Sequence, residues 1–250
     1  MTKLYTKKYY PSKDLKNIIH IYWILENNTD KTINIPVVPD GCMDIVYENN
    51  ELLLVGSLDE GIVIPLKANS KVFGIRFRPS LLPQLLSINA DKLTNKTLPL
   101  KSISEELFSL LNFSEDIIDN KINKLNVIFE KQYYLITLNH TLLKLLDEII
   151  LNKGDISIGE LSNRYHMNPR KLERTFKNLM GLSPKKFTNI IRFLSIFKYL
   201  LKNGFNELSL KALDFGYYDQ AHFNKEFKKF SNLTPTDKIL SVLYNTTKSV

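Results

Sequence analysis

Two stretches in the last third of the chain carry side chains whose types match the edges of DNA bases. If each stretch is a helix, one exposed face carries Arg170, Glu173 and Arg174 in the first stretch, and Gln220, Ala221, Asn224 and Lys225 in the second. Arginine can pair with guanine, asparagine and glutamine with adenine, glutamate with cytosine, and a small apolar side chain with the thymine methyl group. The two faces are therefore predicted to read bases in a major groove, with an ordinary solvated helix face as the alternative.

Basic residues accompany both faces. Lys177 and Lys228 occupy equivalent places in the two stretches, where contacts to phosphates would hold a protein in register on a duplex. His222 lies between two of the base-reading positions and is predicted to pack or to contact a phosphate. These three residues complete the predicted contacts to nucleic acid.

The two stretches belong to a repeated unit. Residues 176–184 read FKNLMGLSP, and residues 227–235 read FKKFSNLTP. Self-similarity at a fixed offset indicates a duplicated structural unit. The buried side of its last helix is predicted to be an apolar stripe, formed by Leu172, Phe176 and Leu179 in one copy and by Phe223, Phe227 and Phe230 in the other.

Each copy has the pattern of two helices joined by a tight turn, which is a helix-turn-helix. The predicted elements are a helix at 157–165, a turn at 166–168 and a helix at 169–180, then a helix at 209–215, a turn at 216–218 and a helix at 219–231. Residues 184–202 keep a helical apolar pattern between the copies, over roughly 28 Å. Since successive major-groove faces lie about 34 Å apart, a stiff spacer of this length could set the two copies into adjacent turns of a duplex.

Local signals mark where these helices begin and end. A side-chain acceptor followed by proline is typical of a helix start, and it occurs at Asn168-Pro169, Ser183-Pro184 and Thr234-Pro235. Ser157 and Glu160 have the spacing of a capping box. Gly181 and its equivalent Asn232 suit the left-handed conformation that ends a helix.

The charge of the chain is unevenly distributed. Residues 152–250 contain 17 Lys and Arg against 8 Asp and Glu, a net charge of +9, whereas the whole chain has +8. All the excess positive charge therefore lies in the last hundred residues. This asymmetry favours a polyanionic partner for that part, although a solvated basic face is the alternative.

The first part of the chain has a different pattern. Up to about Arg78, short apolar runs separated by turn signals predict strands: IIHIYWIL, CMDIVY, LLLVGSL and VFGIRF. From Leu81 onward, apolar residues recur every three or four positions, which is typical of amphipathic helices. The sequence thus predicts an α+β chain, with a β-rich sensing or oligomerisation domain and helical connector at 1–137, followed by an all-α domain of two helix-turn-helix motifs joined by a long helix at 138–250.

The β-rich part offers candidates for a ligand pocket. Arg76 and Arg78 alternate to one face of the last predicted strand, and Trp23 and Asp40 are the other polar and aromatic groups expected to line a pocket. Two arginines would suit an anionic effector. Surface arginines and a half-buried tryptophan are the alternative.

Candidates for catalysis are weak. Asp40, Cys42 and Asp44 would share one face of a strand, but a turn at Asp40-Gly41 followed by a small core cysteine explains them as well. The four histidines are scattered without metal-binding spacing. We expect no enzymatic activity, no metal and no cofactor.

Composition restricts the location of the protein. No apolar run reaches the length that a membrane span needs, and no signal-peptide pattern follows the first residues. Cys42 is the only cysteine, which excludes an internal disulfide and a cysteine-rich zinc site. A cytoplasmic protein without a membrane partner is expected.

The repeated region resembles the DNA-binding domain of AraC/XylS-type transcription regulators. The resemblance is carried by SIGELSNRYHMNPRKLERTFKNLMGLSPKKF and by KALDFGYYDQAHFNKEFKKFSNLTP, within residues 156–235. It implies a monomer that reads promoter DNA with both motifs and acts on RNA polymerase. Lys225 departs from the arginine usual in the family, and a lysine lacks the planar fork for a bidentate base contact.

Residues 9–130 resemble a poorly characterised domain found ahead of such DNA-binding modules. The strings that carry this resemblance are YPSKDLKNIIHIYW, PDGCMDIVY, VGSL and FGIRFRPSLLPQLLSINADKLTNKTLPL. It implies a sensing or oligomerising domain without naming a ligand. The sequence therefore predicts a DNA-binding transcription regulator, with a possible small-molecule effector and a possible homodimer through the N-terminal half. A regulator without an effector and a basic RNA-binding or scaffold protein are the alternatives.

Overall fold

The computed structural model describes residues 4–111, 118–134, 136–203 and 212–234. The strands are β1 (Leu4–Tyr9), β2 (Ile19–Asn27), β3 (Ile33–Val37), β4 (Met43–Glu48), β5 (Glu51–Val55), β6 (Ile62–Leu66), β7 (Ser70–Phe77) and β8 (Thr97–Pro99). The helices are α1 (Leu81–Leu85), α2 (Glu105–Leu111), α3 (Ile118–Tyr133), α4 (His140–Leu151), α5 (Ile158–Arg164), α6 (Pro169–Met180), α7 (Pro184–Asn203) and α8 (Gln220–Ser231). This is the predicted α+β order, with seven strands before the first helix and only the short β8 after α1.

Most strands form one antiparallel sheet in the order β1-β2-β7-β4-β5-β8. Alternate side chains point to opposite faces, as the pleat of a strand requires. One face carries Tyr22, Ile45 and Ile75, which pack with α1, α2 and α3 in a common core. The other face carries Trp23, Asp44 and Arg76, so the polar groups of the sheet lie on the side away from these helices.

A two-stranded ribbon of β3 and β6 covers part of the polar face. Ile35 and Leu66 of the ribbon pack on Leu25, Val46 and Val72 of the sheet. The fully buried Asn27 fixes one end of the ribbon, because its amide group donates to the carbonyl oxygens of Lys31, Leu66 and Lys67 at 2.8–3.1 Å. The ribbon and the sheet thus form two walls with space between them.

The C-terminal helices are built around α7. Its residues Phe187, Phe193 and Phe197 are fully buried in one cluster that also contains side chains of α4, α5, α6 and α8. The guanidinium group of Arg192 donates to the carbonyl oxygens of Gly154, before the first motif, and Gly216, in the turn of the second. The spacer predicted between the two motifs is therefore also their shared core.

The local helix signals are confirmed. Asn168 caps α6 and Pro169 is its first residue, Ser157 and Glu160 form the capping box of α5, and Gly181 and Asn232 end α6 and α8 with positive φ. Of the predicted helix at 209–215, residues 212–215 are described; 212–214 are helical, and Phe215 already belongs to the turn. Pro235, part of the third predicted start signal, lies outside the described residues.

Some predicted details differ. Leu179 is only partly buried, and Met180 completes the stripe of α6 instead. Strand β4 begins at Met43, so Asp40 and Cys42 precede the strand and do not share its face with Asp44. In the described ranges, no helix is long and apolar enough to cross a membrane.

Candidate functional site

Helices α6 and α8 both leave their predicted base-reading faces uncovered. Arg170, Glu173 and Arg174 are exposed on α6. The corresponding residues of α8 are also exposed: Gln220, Ala221, Asn224 and Lys225. On the opposite sides, Phe176 and Phe227 are fully buried. Each helix thus anchors one face in the core and presents the other to solvent, as a recognition helix requires.

The predicted phosphate-contacting residues differ in exposure and in their position along the helices. Lys228 is exposed on the last turn of α8. The exposed His222 lies in the first turn of α8, where its backbone N–H donates to the N-cap residue Asp219. Lys177 is partly covered, and its Nζ lies 3.8 Å from the carboxylate of Asp91. Of the two equivalent lysines, Lys177 therefore faces an acidic neighbour and would have to leave it to contact a phosphate.

The β-rich part contacts the C-terminal ends of both α6 and α8. At α6, Ser57 Oγ donates to the carbonyl oxygen of Met180, and Thr94 Oγ1 donates to that of Gly181, both at 2.8 Å. At α8, Gly61 N–H donates to the carbonyl oxygen of Lys229 at 3.0 Å, and Asn232 Nδ2 donates back to the carbonyl oxygen of Gly61. Carbonyl groups left without partners at helix ends are thereby satisfied by another part of the chain.

Glycine is required where these surfaces meet. A Cβ atom on Gly61 would lie 2.3 Å from the carbonyl oxygen of Phe230, and one on Gly181 would lie 2.3 Å from Thr94 Oγ1. Both approaches are closer than carbon and oxygen can tolerate. The close contact at each recognition helix therefore depends on a glycine, which has no side chain.

Ion pairs surround the same contacts. Lys186 Nζ lies 3.5 Å from the carboxylate of Asp59, and Lys229 Nζ lies 3.1 Å from that of Glu60. Together with Asp91 beside Lys177, three acidic side chains of the β-rich part face three lysines of the helical part. Because these pairs are partly exposed, each contributes little to stability, but they place negative charge beside both recognition helices.

The space between the sheet and the β3–β6 ribbon is a cavity of about 390 Å³. Its walls are mainly apolar side chains from both layers, including Ile35, Val46, Val55 and Ile64. Trp23, Asp44 and Arg76 form one polar cluster of the wall, and further polar side chains that line it are Thr6, Lys7, Lys8, Glu48 and Thr97. A few polar groups in an apolar cavity of this size are typical of small-molecule sites.

The polar wall is a network centred on Arg76. Its Nη1 lies 2.9 Å from Asp40 Oδ2, and its Nε donates to Asp44 Oδ1 at 3.1 Å. Trp23 Nε1 also donates to Asp44 Oδ1, at 2.9 Å. The indole ring lies across Gly74, where a Cβ atom would come within 2.0 Å of it. The ring is thus held in place by a hydrogen bond and by a glycine on the neighbouring strand.

Burial changes the ionisation of this network. Burial raises the pKa of Asp44, against the opposing effect of the Arg76 charge. Burial alone would lower the pKa of Arg76, but the charges of Asp40 and Asp44 raise it. Burial lowers the pKa of Lys198, whose charge also interacts with Asp40. Arg76 therefore pairs with both carboxylates, and the charge of Lys198 adds a favourable interaction with Asp40.

The turn at Asp40 links this network to the helical part. Asp40 Oδ1 accepts a hydrogen bond from Cys42 N–H, and Gly41 has a φ of 76°. A Cβ atom on Gly41 would lie 2.5 Å from the Phe187 ring at the beginning of α7. Burial raises the pKa of the Cys42 thiol, as expected for a small core residue. The turn thus contacts the helical part of the chain.

Two of the four predicted pocket residues, Asp40 and Arg78, do not line the cavity, and Asp40 reaches it only through its contact with Arg76. Arg78 follows the end of β7, is exposed, and donates from Nε to the carbonyl oxygen of Lys16 at 2.7 Å. Nearby His20 has a pKa lowered to about 4, mainly by burial and by the charges of Arg78 and Arg76. Because Arg78 lies outside the cavity wall and Arg76 is held by two carboxylates, the expected pair of arginines for an anionic effector is not formed.

Some residues of this site were missed in the sequence. The segment 56–61 contributes Leu58 to the cavity wall and Ser57 and Gly61 to the contacts with the recognition helices. In the sequence, VGSL predicts the end of a strand and carries part of the resemblance to the domain found ahead of such DNA-binding modules. No local pattern indicates that this segment lies between a cavity and a remote helix.

Two family models match separate parts of the chain. Residues 161–238 match a helix-turn-helix domain. Residues 7–99 match a domain of unknown function, DUF6597. The first match covers the end of α5 and all of α6, α7 and α8, and the second covers most of the sheet and the whole ribbon.

Curated relatives match over the C-terminal region. An uncharacterized HTH-type transcriptional regulator of Haemophilus influenzae is 31% identical over 105 residues, which are 42% of this chain and 34% of the relative. The HTH-type transcriptional regulator MtrA of Neisseria gonorrhoeae is 32% identical over 98 residues, which are 39% of this chain and 31% of the relative. The chain thus matches about a third of the length of these curated relatives.

Among solved structures, ToxT of Vibrio cholerae aligns with 96% of this chain and 99% of its own, at 14% identity and a TM-score of 0.45. The assignment depends on the sequence matches and on the capped helix pairs. Together they identify residues 161–238 as a helix-turn-helix domain.

Proposed function

We propose that the chain is a sequence-specific transcription regulator that reads two adjacent major-groove segments of double-stranded DNA. The observation that carries this proposal is the pair α6 and α8, which expose base-reading residue types at equivalent positions while both pack on α7. The net charge of +9 over residues 152–250 supports it. Base contacts are assigned to Arg170, Glu173, Arg174, Gln220, Ala221, Asn224 and Lys225, and phosphate contacts to Lys177, His222 and Lys228.

The two parts of the chain are assigned different roles. Residues 138–250 would bind DNA, and residues 1–137 would sense an effector in the cavity beside Trp23 and Arg76. The resemblance to AraC/XylS regulators supports action on RNA polymerase at promoters. Dimerisation through the N-terminal half remains part of the proposal as a possible assembly. The curated relatives, which carry the name of transcriptional regulators, support the general role.

Substitution of Arg174 tests base reading. Arg174 is exposed one turn after Arg170 on α6. If it pairs with a guanine, Arg174→Ala should weaken binding to a selected duplex by about 1–3 kcal/mol and relax the preference at one base pair. Selection of binding sites from a random duplex library, followed by affinity measurement, checks both effects. An unchanged preference at every base pair would contradict this assignment.

Lys228→Ala is the matched variant for phosphate contact. Lys228 is exposed on α8 and is assigned to the backbone. Its loss should weaken binding to all duplexes alike. The slope of the logarithm of the binding constant against the logarithm of the salt concentration should become shallower by about one. A change in base preference would move Lys228 to the base-reading set.

Insertion of base pairs between the two recognised segments tests the spacer. Helix α7 has 20 residues and thus a length of about 30 Å, with both motifs packed on it. The segments should be centred about 10 base pairs apart on one face of the duplex. Five inserted base pairs turn one segment to the opposite face, and ten restore the face but exceed the reach. Footprinting of the full chain should show loss of one segment in both cases, whereas protection of both segments at plus ten would indicate a flexible link or a dimer.

A further inference from the structure

The cavity between the sheet and the ribbon has an apolar wall that is incompletely covered. Ile62 and Ile64 of β6 are 37% and 40% exposed, and both belong to the wall. Exposed apolar surface gains free energy when it is removed from water. At about 30 Å³ per water molecule, 390 Å³ corresponds to the volume of about 13 waters, which is room for a molecule of roughly ten to twenty non-hydrogen atoms.

The charged side chains that line the cavity are Lys7, Lys8, Asp44, Glu48 and Arg76. Asp44 and Arg76 are matched in one network, and both lysines have interactions of their own. Arg76 contacts both Asp40 and Asp44, and Lys198 supplies the second positive charge near Asp40. A ligand carboxylate would have to compete with two protein carboxylates for Arg76. A ligand ammonium group would compete with the guanidinium for Asp44. An additional charge beside this network would be buried without its own partner, which is costly.

We propose that this cavity binds a neutral, mainly apolar small molecule, and that the segment 56–61 transmits its occupancy to both recognition helices. Only the second part of this inference rests on the proposed function. The ligand class follows from the mainly apolar wall and from the matched charges of Arg76 and its two carboxylates. Asp44 could accept a hydrogen bond from a ligand hydroxyl group, and Arg76 could donate one to a hydroxyl or carbonyl group.

The transmitting segment contacts the ligand cavity and the DNA-binding helices at once. Leu58 and Ile62 belong to the cavity wall. Ser57, which precedes Leu58, donates a hydrogen bond to the end of α6. Gly61, which precedes Ile62, donates one to the end of α8. A shift of Leu58 or Ile62 on ligand binding would therefore move a support shared by both helices. A ligand shifts a conformational equilibrium only if its contacts differ between the two conformations. The segment 56–61 provides such a link, because it contacts both the cavity and the two recognition helices.

Tryptophan fluorescence of the full chain tests the ligand class without DNA. Trp23 is the only tryptophan and lies in the cavity wall. The probes are 1-decanol and its charged analogues decanoate and decylammonium, all at neutral pH and below micelle formation. We expect a saturable change with decanol and at least tenfold weaker binding of both ions. No saturable change with decanol, or equal or tighter binding of either ion, would overturn the proposed ligand class.

Two neighbouring substitutions locate the binding site. Ile64→Phe adds volume on the cavity side of β6, and Val63→Phe adds it at a residue that is 47% exposed and outside the cavity wall. Ile64→Phe should weaken decanol binding at least tenfold, while Val63→Phe should bind as the original chain does. Val55→Phe, from the opposite wall, is the second cavity-filling variant, and thermal unfolding checks that all three fold. Unchanged decanol binding in both filled variants would overturn the site.

DNA binding tests the transmitting segment separately. Saturating decanol should change the affinity of the full chain for a selected duplex at least threefold, and the Ile64→Phe variant should not respond. Decanol that binds by fluorescence but leaves DNA affinity unchanged would refute transmission through 56–61. Absence of specific duplex binding under all conditions would instead refute the proposed function, while the fluorescence result for the cavity would stand.

Discussion

Replacement of Arg76 with methionine is expected to lower the free energy of unfolding of the β-rich part by about 3–5 kcal/mol. Methionine keeps much of the side-chain length but removes the charge that lies between Asp40 and Asp44. Both carboxylates would then remain poorly solvated and close to each other without their shared partner. Urea unfolding followed by the fluorescence of Trp23 measures this loss, because the tryptophan hydrogen-bonds to the same Asp44.

Arg78→Met is the matched control for this prediction. Arg78 belongs to the same segment but is exposed, and it bonds only to a backbone carbonyl oxygen among the described contacts. Its replacement should cost about 1 kcal/mol or less. Adding Asp44→Asn to Arg76→Met removes one unmatched charge and should recover part of the loss. Similar losses for Arg76→Met and Arg78→Met would contradict a structural role of the buried network.

Features of the fold that depend on adjacent residues were predictable from the sequence. Asn168 caps α6 with its own side chain, and Gly181 ends the helix because glycine adopts positive φ without strain. Such signals act within one turn, so a pattern of a few residues is enough to indicate them. The repeat also indicated that Asn232 occupies the position equivalent to Gly181, and both residues have positive φ.

The ribbon strands were not predicted, for a physical reason. Strands β3 and β6 contain Pro36 and Pro65, and proline within a short apolar run argues against a strand. The two strands pair only with each other in a two-stranded sheet, where each has an outer edge that tolerates a missing N–H donor. The cavity could not be predicted either, because it exists only between this ribbon and the larger sheet.

The candidate site was predictable in its residue types but only partly in its contacts. Asp44 and Arg76 meet because β4 and β7 pair in a register that places them opposite each other. That pairing joins residues 32 positions apart and leaves no local signal. Similarly, Gly61 was unremarkable in the sequence, although it touches the end of α8. The exposed faces of α6 and α8 needed only helical periodicity, so their placement was accessible from the sequence.

Replacement of Phe193 with alanine is expected to have an equally large effect on the helical part. Phe193 is fully buried on α7, and its ring centroid lies 5.3–5.7 Å from those of Phe197, Phe227 and Phe230. Loss of a buried phenyl ring removes apolar contacts and leaves a cavity, at a cost of about 3–5 kcal/mol. Urea unfolding followed by far-ultraviolet circular dichroism measures the loss. Tyr218→Ala, at a residue that is 86% exposed, is the control and should change stability by about 0.5 kcal/mol or less.

The position of Phe193 also predicts which motif is affected. Two of its three aromatic partners, Phe227 and Phe230, belong to α8, whereas α6 packs on α7 through the contact of Phe176 with Phe187. Phe193→Ala should therefore loosen α8 before α6. In footprinting at a temperature where the variant remains folded, protection should weaken over the segment read by α8 and persist over the segment read by α6. Equal loss of protection over both segments would contradict this prediction. Because Phe193 lies on the side of the second motif, that result would mean that the two motifs are coupled too tightly through α7 to be weakened separately.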